Sequence, residues 1–328
     1  LGAFQRTRAT RTRDAFVKET RRTMGGLGAY NRYCHLFING LYWGMYDFSE
    51  QPTEKFAENY LSGATNSYDI IEAGALVSGT LTTYNAMLAV ASLNLNSNYE
   101  LMKQYLDITE FSDYMLLNFW VGAQDWGLNK NWYTMRRRVA GVDGLFKYVP
   151  WDCENLLLEE TINRVPNGGG NTDIPSGLFT KLDDNPQFRL DFADRVQKHL
   201  IAPGGALTRE TLVARWQKWQ GLLDAPIVAE SVRWGDYRRD VHPYQSGAYV
   251  LYTRENQWLA EQDRMLNSYF ANRPGIVLGQ LRTAGLYPTL DAPEFRQDTT
   301  AGPIVGSSAV GAGYVVALNN PNGVGTIY

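Results

Sequence analysis

The chain has 328 residues and a net charge of −3, a balance that argues against bulk binding to nucleic acid. Hydrophobic residues make up 44% of it, with 9 Trp and 20 Tyr, enough for one large domain or two modest ones. No run approaches the roughly 18 apolar residues a membrane-spanning helix needs, so an integral membrane protein is not expected.

Residues 1–23 are locally basic: Arg6, Arg8, Arg11, Arg13, Lys18, Arg21 and Arg22 stand against Asp14 and Glu19. They predict an Arg-rich, solvent-exposed helix rather than a polyanion-binding arm. This start lacks the apolar core of a signal peptide, and its abruptness leaves room for an upstream signal. Next comes "HLFINGLYWGMYDFSE", His35 to Glu50. Asn-Gly between apolar runs is a strong hairpin signal, because a type I′ turn needs positive φ at both central residues. Tyr33–Ile38 and Leu41–Phe48 therefore read as paired antiparallel strands. A short helix is expected from near Pro52, then loops over residues 63–99 around one helix near Leu81–Leu93.

Thr109 is a candidate N-cap for "EFSDYMLLNFWVG", a helix apolar on most faces and so buried. A second hairpin follows, "NWYTMRRR" and "LFKYVPWD" joined by a Gly141–Gly144 turn. From Ser176 the pattern is helical: Phe188, Phe192, Val196 and Leu200 form one stripe, and Leu212, Trp216, Trp219 and Leu223 another behind Thr208. Two further helices are predicted over Thr253–Ala271 and Ile276–Ala284. Beyond Leu286 charge nearly vanishes, and Gly, Val, Ala, Asn and Pro predict a linker and the first strands of a β-sandwich over residues 287–328.

Cys34 and Cys153 permit at most one disulfide, and neither a CxxC nor an HExxH pattern occurs with them or with His35, His199 and His242. Cys153 stands between Asp152 and Glu154, whose charges should raise its pKa and make it a poor nucleophile. "PNGGGN" lacks the P-loop pattern and reads as a flexible loop.

Three polar clusters remain: Glu50 at a strand end, "QDWGLNKNW" at 124–132, and "PWDCE" at 150–154. Phosphoryl transfer needs positioned carboxylates, an Asn, a metal and a cation on the phosphates. Magnesium takes one or two carboxylates plus substrate phosphates. Asp125, Asp152 and Glu154 could supply the carboxylates, and Asn129 or Asn131 the amide. A polar loop with helix caps fits the same spacing.

"HLFINGLYWGMYDFSEQP", "DWGLNKNWYTMRR" and "FKYVPWDCE", with "YDII", "FADRVQKHL", "GALT" and "ESVRWGDY", resemble the signature blocks of the CotH family, spore-coat proteins and their secreted bacterial relatives. The resemblance spans roughly residues 10–290. It implies an α+β, atypical protein-kinase-like fold with an antiparallel hairpin core and a large helical C-terminal part over residues 1–286. The upstream part of the family region is expected to precede Leu1. It also implies a kinase that uses ATP and Mg to phosphorylate Ser/Thr of secreted or surface proteins, in an extracellular or cell-surface setting. The stretch "LYPTLDAPEF" resembles the family's transition to an immunoglobulin-like domain.

By position, Asp152 resembles the family's metal-binding aspartate, and Glu154 falls where spore-coat members carry a second Asp. Asp125 resembles the aspartate opening the catalytic segment, Asn131 the metal-binding Asn closing it, and Glu50 the glutamate ending the strand after Asn-Gly. The Asp125–Asn131 interval is one residue longer than usual, which leaves Asn129 as a substitute. Arg136, with Arg137 and Arg138 on the central hairpin, could partly replace the basic residues expected upstream as the cation for the phosphates; that alternate arginines there simply face solvent is the other reading. Two other readings stay open: a non-catalytic structural or adhesive surface module, and an enzyme on polysaccharide pairing Asp125 with Asp152.

Overall fold

The computed structural model describes residues 8–126, 130–165, 171–236, 251–305 and 311–323. Asn129, His242 and most of "PNGGGN" lie outside the described residues. Helix α1 (Arg13–Thr23) leads into a two-stranded antiparallel sheet, β1 (Asn31–Ile38) and β2 (Leu41–Ser49). Asn39 and Gly40 both take positive φ, +50° and +81°, as the Asn-Gly pair predicts. After α2 (Glu54–Leu61) comes a four-stranded antiparallel sheet of order β4-β3-β5-β6. Its strands are β3 (Tyr68–Glu72), β4 (Ala75–Ser78), β5 (Trp132–Arg137) and β6 (Lys147–Pro150).

Strands β3 and β4 correct the expectation of loops over 63–99. β3 is interior to the sheet, and buried Asp69 within it is paired with Arg136 of β5 at 3.0 Å. A polar residue satisfied across the sheet hides a strand from local pattern reading. Helices α3 (Thr82–Ala91) and α4 (Leu95–Met102) follow.

Helix α5 (Ile108–Val121) runs through the main core, with Phe111, Tyr114, Phe119 and Trp120 at 0% exposure. Its cap is Asp107, whose side chain accepts the Glu110 N–H at 3.1 Å, and not Thr109. Against it pack α6 (Pro175–Asp183) and α7 (Pro186–Val196), while α8 (Arg209–Leu223) packs on α1. Both sequence stripes, Phe188–Leu200 and Leu212–Leu223, are buried there. Helix α9 (Pro226–Trp234) covers β2.

From Arg254 to Thr283 the chain is helical throughout: a π turn, α10 (Leu259–Arg264), a second π turn at Met265–Tyr269, and α11 (Phe270–Thr283) with Pro274 inside. The expected break at Pro274 does not occur. Packing of Phe270 and Arg273 on one side and Val277 and Leu281 on the other, all fully buried, carries the helix through it. Strands β7 (Glu294–Gln297) and β8 (Val316–Asn319) form a separate antiparallel pair.

The largest departure concerns α1, which is buried rather than exposed. Arg13, Lys18 and Arg21 are at most 2% exposed. Arg13 pairs with Glu261 of α10 at 2.6 Å, Arg21 with Glu110 of α5, and Lys18 with Asp14 at 2.6 Å. A charged side chain enters a core only when paired, and each partner here is fixed by the tertiary fold or one helical turn away.

Candidate functional site

The site forms where the sheet meets α1 and the end of α5. Trp132 pairs with Pro150, so Asn131 before β5 and Trp151-Asp152 after β6 lie at the same sheet edge. β6 is pinned to α5 by Glu110, whose Oε2 accepts the Tyr148 N–H at 3.0 Å. Asp125 follows the left-handed C-cap Gly122 of α5. Buried Trp126 anchors that segment by donating Nε1–H to the Tyr114 hydroxyl at 2.7 Å.

Asn131 donates Nδ2–H to the Asp125 carbonyl at 3.0 Å, closing the loop between them. Both Asn131 and Asp152 adopt left-handed backbone, φ +67° and +52°. Asn and Asp tolerate that region better than most residues, and its use at two site positions is the kind of local strain that clusters where geometry is functional.

Asp152 and Glu154 are open to solvent. Neither carboxylate makes a hydrogen bond or ion pair with another described residue. Partial desolvation by the surrounding protein raises both pKa values, although both side chains still reach solvent, and Asp125 and Asp14 add to the rise at Asp152, as Asp152 and Asp14 do at Glu154. Lys18 and Lys130 oppose it at Asp152. Lys130 lies 3.6 Å from Asp125 on the surface, a weak pair. Lys18 is buried, with Nζ 2.9 Å from the Ser49 hydroxyl and 4.4 Å from the Trp151 ring centroid. The Cys153 thiol is raised well above its ordinary pKa, by burial first and by Asp14 next.

Two further residues, not singled out from the sequence, belong to this group. Asn31 donates Nδ2–H to both Asp14 (2.9 Å) and Asp47 (2.8 Å). The Asp47 carboxyl is pushed up to about 6, by burial and then by Asp14. Its folded pKa exceeds the ordinary 3.8, so the folded state loses stability as pH rises through that interval. Asp47→Asn is therefore expected to melt above the parent near pH 7.5, with the gap shrinking towards about pH 4.5. An equal gap at both pH values would discard this account.

Glu50 and Arg136 are not brought to this group. Glu50 accepts the Tyr30 N–H at 2.9 Å and the Tyr60 hydroxyl at 2.9 Å. Strand alternation turns it from the face where Ser49 meets Lys18. Strand parity is the signal that could have found Asp47, which shares its face with buried Met45 and with Ser49. Arg136 sits five positions beyond Asn131, at the other end of β5, bonded to Asp69, Thr83 and the Gly144 carbonyl. Arg138 donates to the Asn66 carbonyl. These arginines tie β5 to its neighbours.

Among the described residues, no three Asp, Glu, His or Cys side chains converge as a complete metal shell. Magnesium does not require one, since waters and substrate phosphates fill most of its octahedron. The oxygen donors at this edge fit such an ion; Cys34 is exposed, Cys153 is buried, and both are free thiols.

A hairpin, an antiparallel sheet ending in carboxylates and a large helical part make this an α+β protein of kinase-like fold. The chain belongs to the CotH family: the family described as CotH kinase protein matches residues 62–277, more than half of the chain. In a search of curated proteins no relative matches. The matched segment contains Asp125, Asn131, Asp152 and Glu154, and begins after α1, β1 and β2. No helix among the described residues is long and apolar enough to cross a membrane.

Proposed function

We propose that this protein is a CotH-type phosphotransferase, using Mg and ATP to phosphorylate a Ser or Thr hydroxyl on secreted or surface proteins. The observation that carries the reading is the pair of solvent-accessible carboxylates, Asp152 and Glu154, which have no hydrogen-bond or ion-pair partner among the described residues and lie near Asp125. Asp152 and the Asn131 amide oxygen would hold the metal, with Glu154 completing the acidic edge. The bound metal supplies charge neutralisation on the transferred phosphoryl group. Asp125 would orient the acceptor hydroxyl and take its proton as the oxygen bonds to phosphorus and the bond to the leaving phosphate oxygen breaks. Residues 287–328 we read as the start of a β-sandwich domain, with β7 and β8 its first pair.

A thermal-shift titration of ATP with and without Mg tests the reading. A rise in melting temperature only when both are present is expected; no shift under any condition would favour a non-catalytic surface module on the same scaffold. That alternative draws on the Asn131 Nδ2–H already bonded back to the Asp125 carbonyl. Within the kinase reading, Glu154→Asp should keep most activity and Glu154→Gln lose most of it, because charge rather than length matters at a metal edge. Equal activity of Glu154→Gln and the parent would leave Glu154 with a structural role.

A further inference from the structure

We propose that Asp14 of α1 is a positioning residue for Asp152, acting through the backbone N–H of Cys153; this rests on the reading of Asp152 as a metal-holding carboxylate. Asp14 Oδ1 accepts the Cys153 N–H at 2.9 Å. That amide belongs to the peptide immediately after Asp152, so holding it fixes the plane that follows Asp152 and, with it, where the carboxylate points. The constraint matters because Asp152 sits at φ +52°, a conformation that a non-glycine residue keeps only when its surroundings impose it.

Asp14 is itself fully engaged. Its Oδ2 accepts from Lys18 Nζ at 2.6 Å and from Asn31 Nδ2 at 2.9 Å, so donors from α1, β1 and the chain after β6 meet on one carboxylate. The helix that carries it is fastened into the core by the buried pairs Arg13–Glu261 and Arg21–Glu110. A residue on so fixed an element can hold the turn after β6 in one geometry, as supporting residues around a metal site do. Asp14 thereby couples α1, which lies outside the family-matched segment, to a carboxylate within it.

Asp14→Ala removes the acceptor, whereas Asp14→Asn keeps a carbonyl oxygen for the Cys153 N–H while it loses the charge and turns an amide NH2 towards Lys18 and Asn31, which lowers stability without removing the Cys153 contact. In the full chain, with Mg and a non-hydrolysable ATP analogue as probe, Asp14→Ala should weaken binding about tenfold or more, and Asp14→Asn by no more than about threefold. Amide exchange at Cys153 should be about tenfold faster in Asp14→Ala and near the parent rate in Asp14→Asn. A purely structural role would lower the melting temperature while leaving affinity, measured well below the melt, unchanged.

A folded Asp14→Ala protein with parent affinity and a protected Cys153 amide would overturn the proposal. So would an Asp14→Asn protein that loses as much affinity as the Ala variant, which would mark Asp14 as a charge-dependent ligand. Should Asp14→Ala fail to fold, the Asn variant decides: affinity and protection both kept uphold the proposal, and loss of either overturns it. If the parent binds no nucleotide, the functional reading fails, and exchange at Cys153 alone decides the role of Asp14.

Discussion

Asp152→Asn is expected to abolish magnesium-dependent nucleotide binding while leaving the fold intact. The Asp152 carboxylate has no hydrogen-bond or ion-pair partner among the described residues, so its removal orphans nothing. Asn also tolerates the left-handed backbone at this position, φ +52°, better than Ala does. Burial, Asp125 and Asp14 raise the pKa of Asp152, so its charged form is disfavoured in the folded chain. Replacing it with a neutral side chain should leave stability at neutral pH unchanged or slightly higher, with any gain disappearing at acid pH where the parent carboxyl is protonated too. Losing a charged metal ligand should weaken Mg–ATP binding by about a hundredfold, on the order of 2.7 kcal/mol. Calorimetric titration reads this directly, and Asp152→Ala should behave alike in binding. Parent-like affinity in a folded Asp152→Asn protein would remove Asp152 from the metal site.

Arg273→Met should have the largest effect on stability. Arg273 of α11 is 0% exposed, and its guanidinium donates to the carbonyls of Trp120 (2.8 Å), Phe119 (2.6 Å), Glu160 (2.6 Å) and Ile162 (2.7 Å). The first two lie in the last turn of α5, where intrahelical partners run out and the helix dipole favours a cation. Methionine fills the space without donors: the Glu160 carbonyl loses its guanidinium donor, and Phe119, Trp120 and Ile162 keep, among the described residues, only the Gly122 N–H, the Tyr269 hydroxyl and the Gln280 amide. The cost should be on the order of 3 kcal/mol, since each hydrogen bond from a charged donor contributes roughly 1.5–3 kcal/mol and the remaining donors offset part of the loss. In a protein of this size that is a fall in melting temperature of roughly 5–10 °C. Arg273→Lys should recover only part of it, because an ammonium lacks the planar fork that reaches separate carbonyls. A melting temperature within about 2 °C of the parent would show that water or repacking satisfies these carbonyls. Because Asp125 lies just past this helix end, nucleotide binding should weaken with the loosened turn.

Legibility in the sequence followed the range of the interaction that decides each feature. Asn39-Gly40 announced its hairpin because the steric requirement for positive φ lies inside the dipeptide. Leu212, Trp216, Trp219 and Leu223 announced a buried face because helical periodicity is set within a few turns. Asp125, Asn131, Asp152 and Glu154 were legible as a set through family resemblance, and Asn131 and Asp152 share a sheet edge because the second hairpin brings their strand ends together. Glu50 is expected at the site through its resemblance to the family's strand-ending glutamate, whereas Asp47 lies on the β2 face that carries buried Met45, and Phe48 on the other face is 76% exposed.

By itself the sequence determined the two hairpins, the buried character of α5 and the helical stripes, since each depends on φ/ψ preference or on apolar spacing within one segment. Only the tertiary structure decided that the basic helix α1 is interior. Arg13 needs Glu261 and Arg21 needs Glu110, residues far along the chain whose approach no local window contains. It likewise decided that β3 is a strand, since Asp69 is tolerable there only with Arg136 across the ladder. And it decided that Asp14 meets the Cys153 N–H, a contact between residues 139 positions apart, because desolvated charges take the partners that folding delivers.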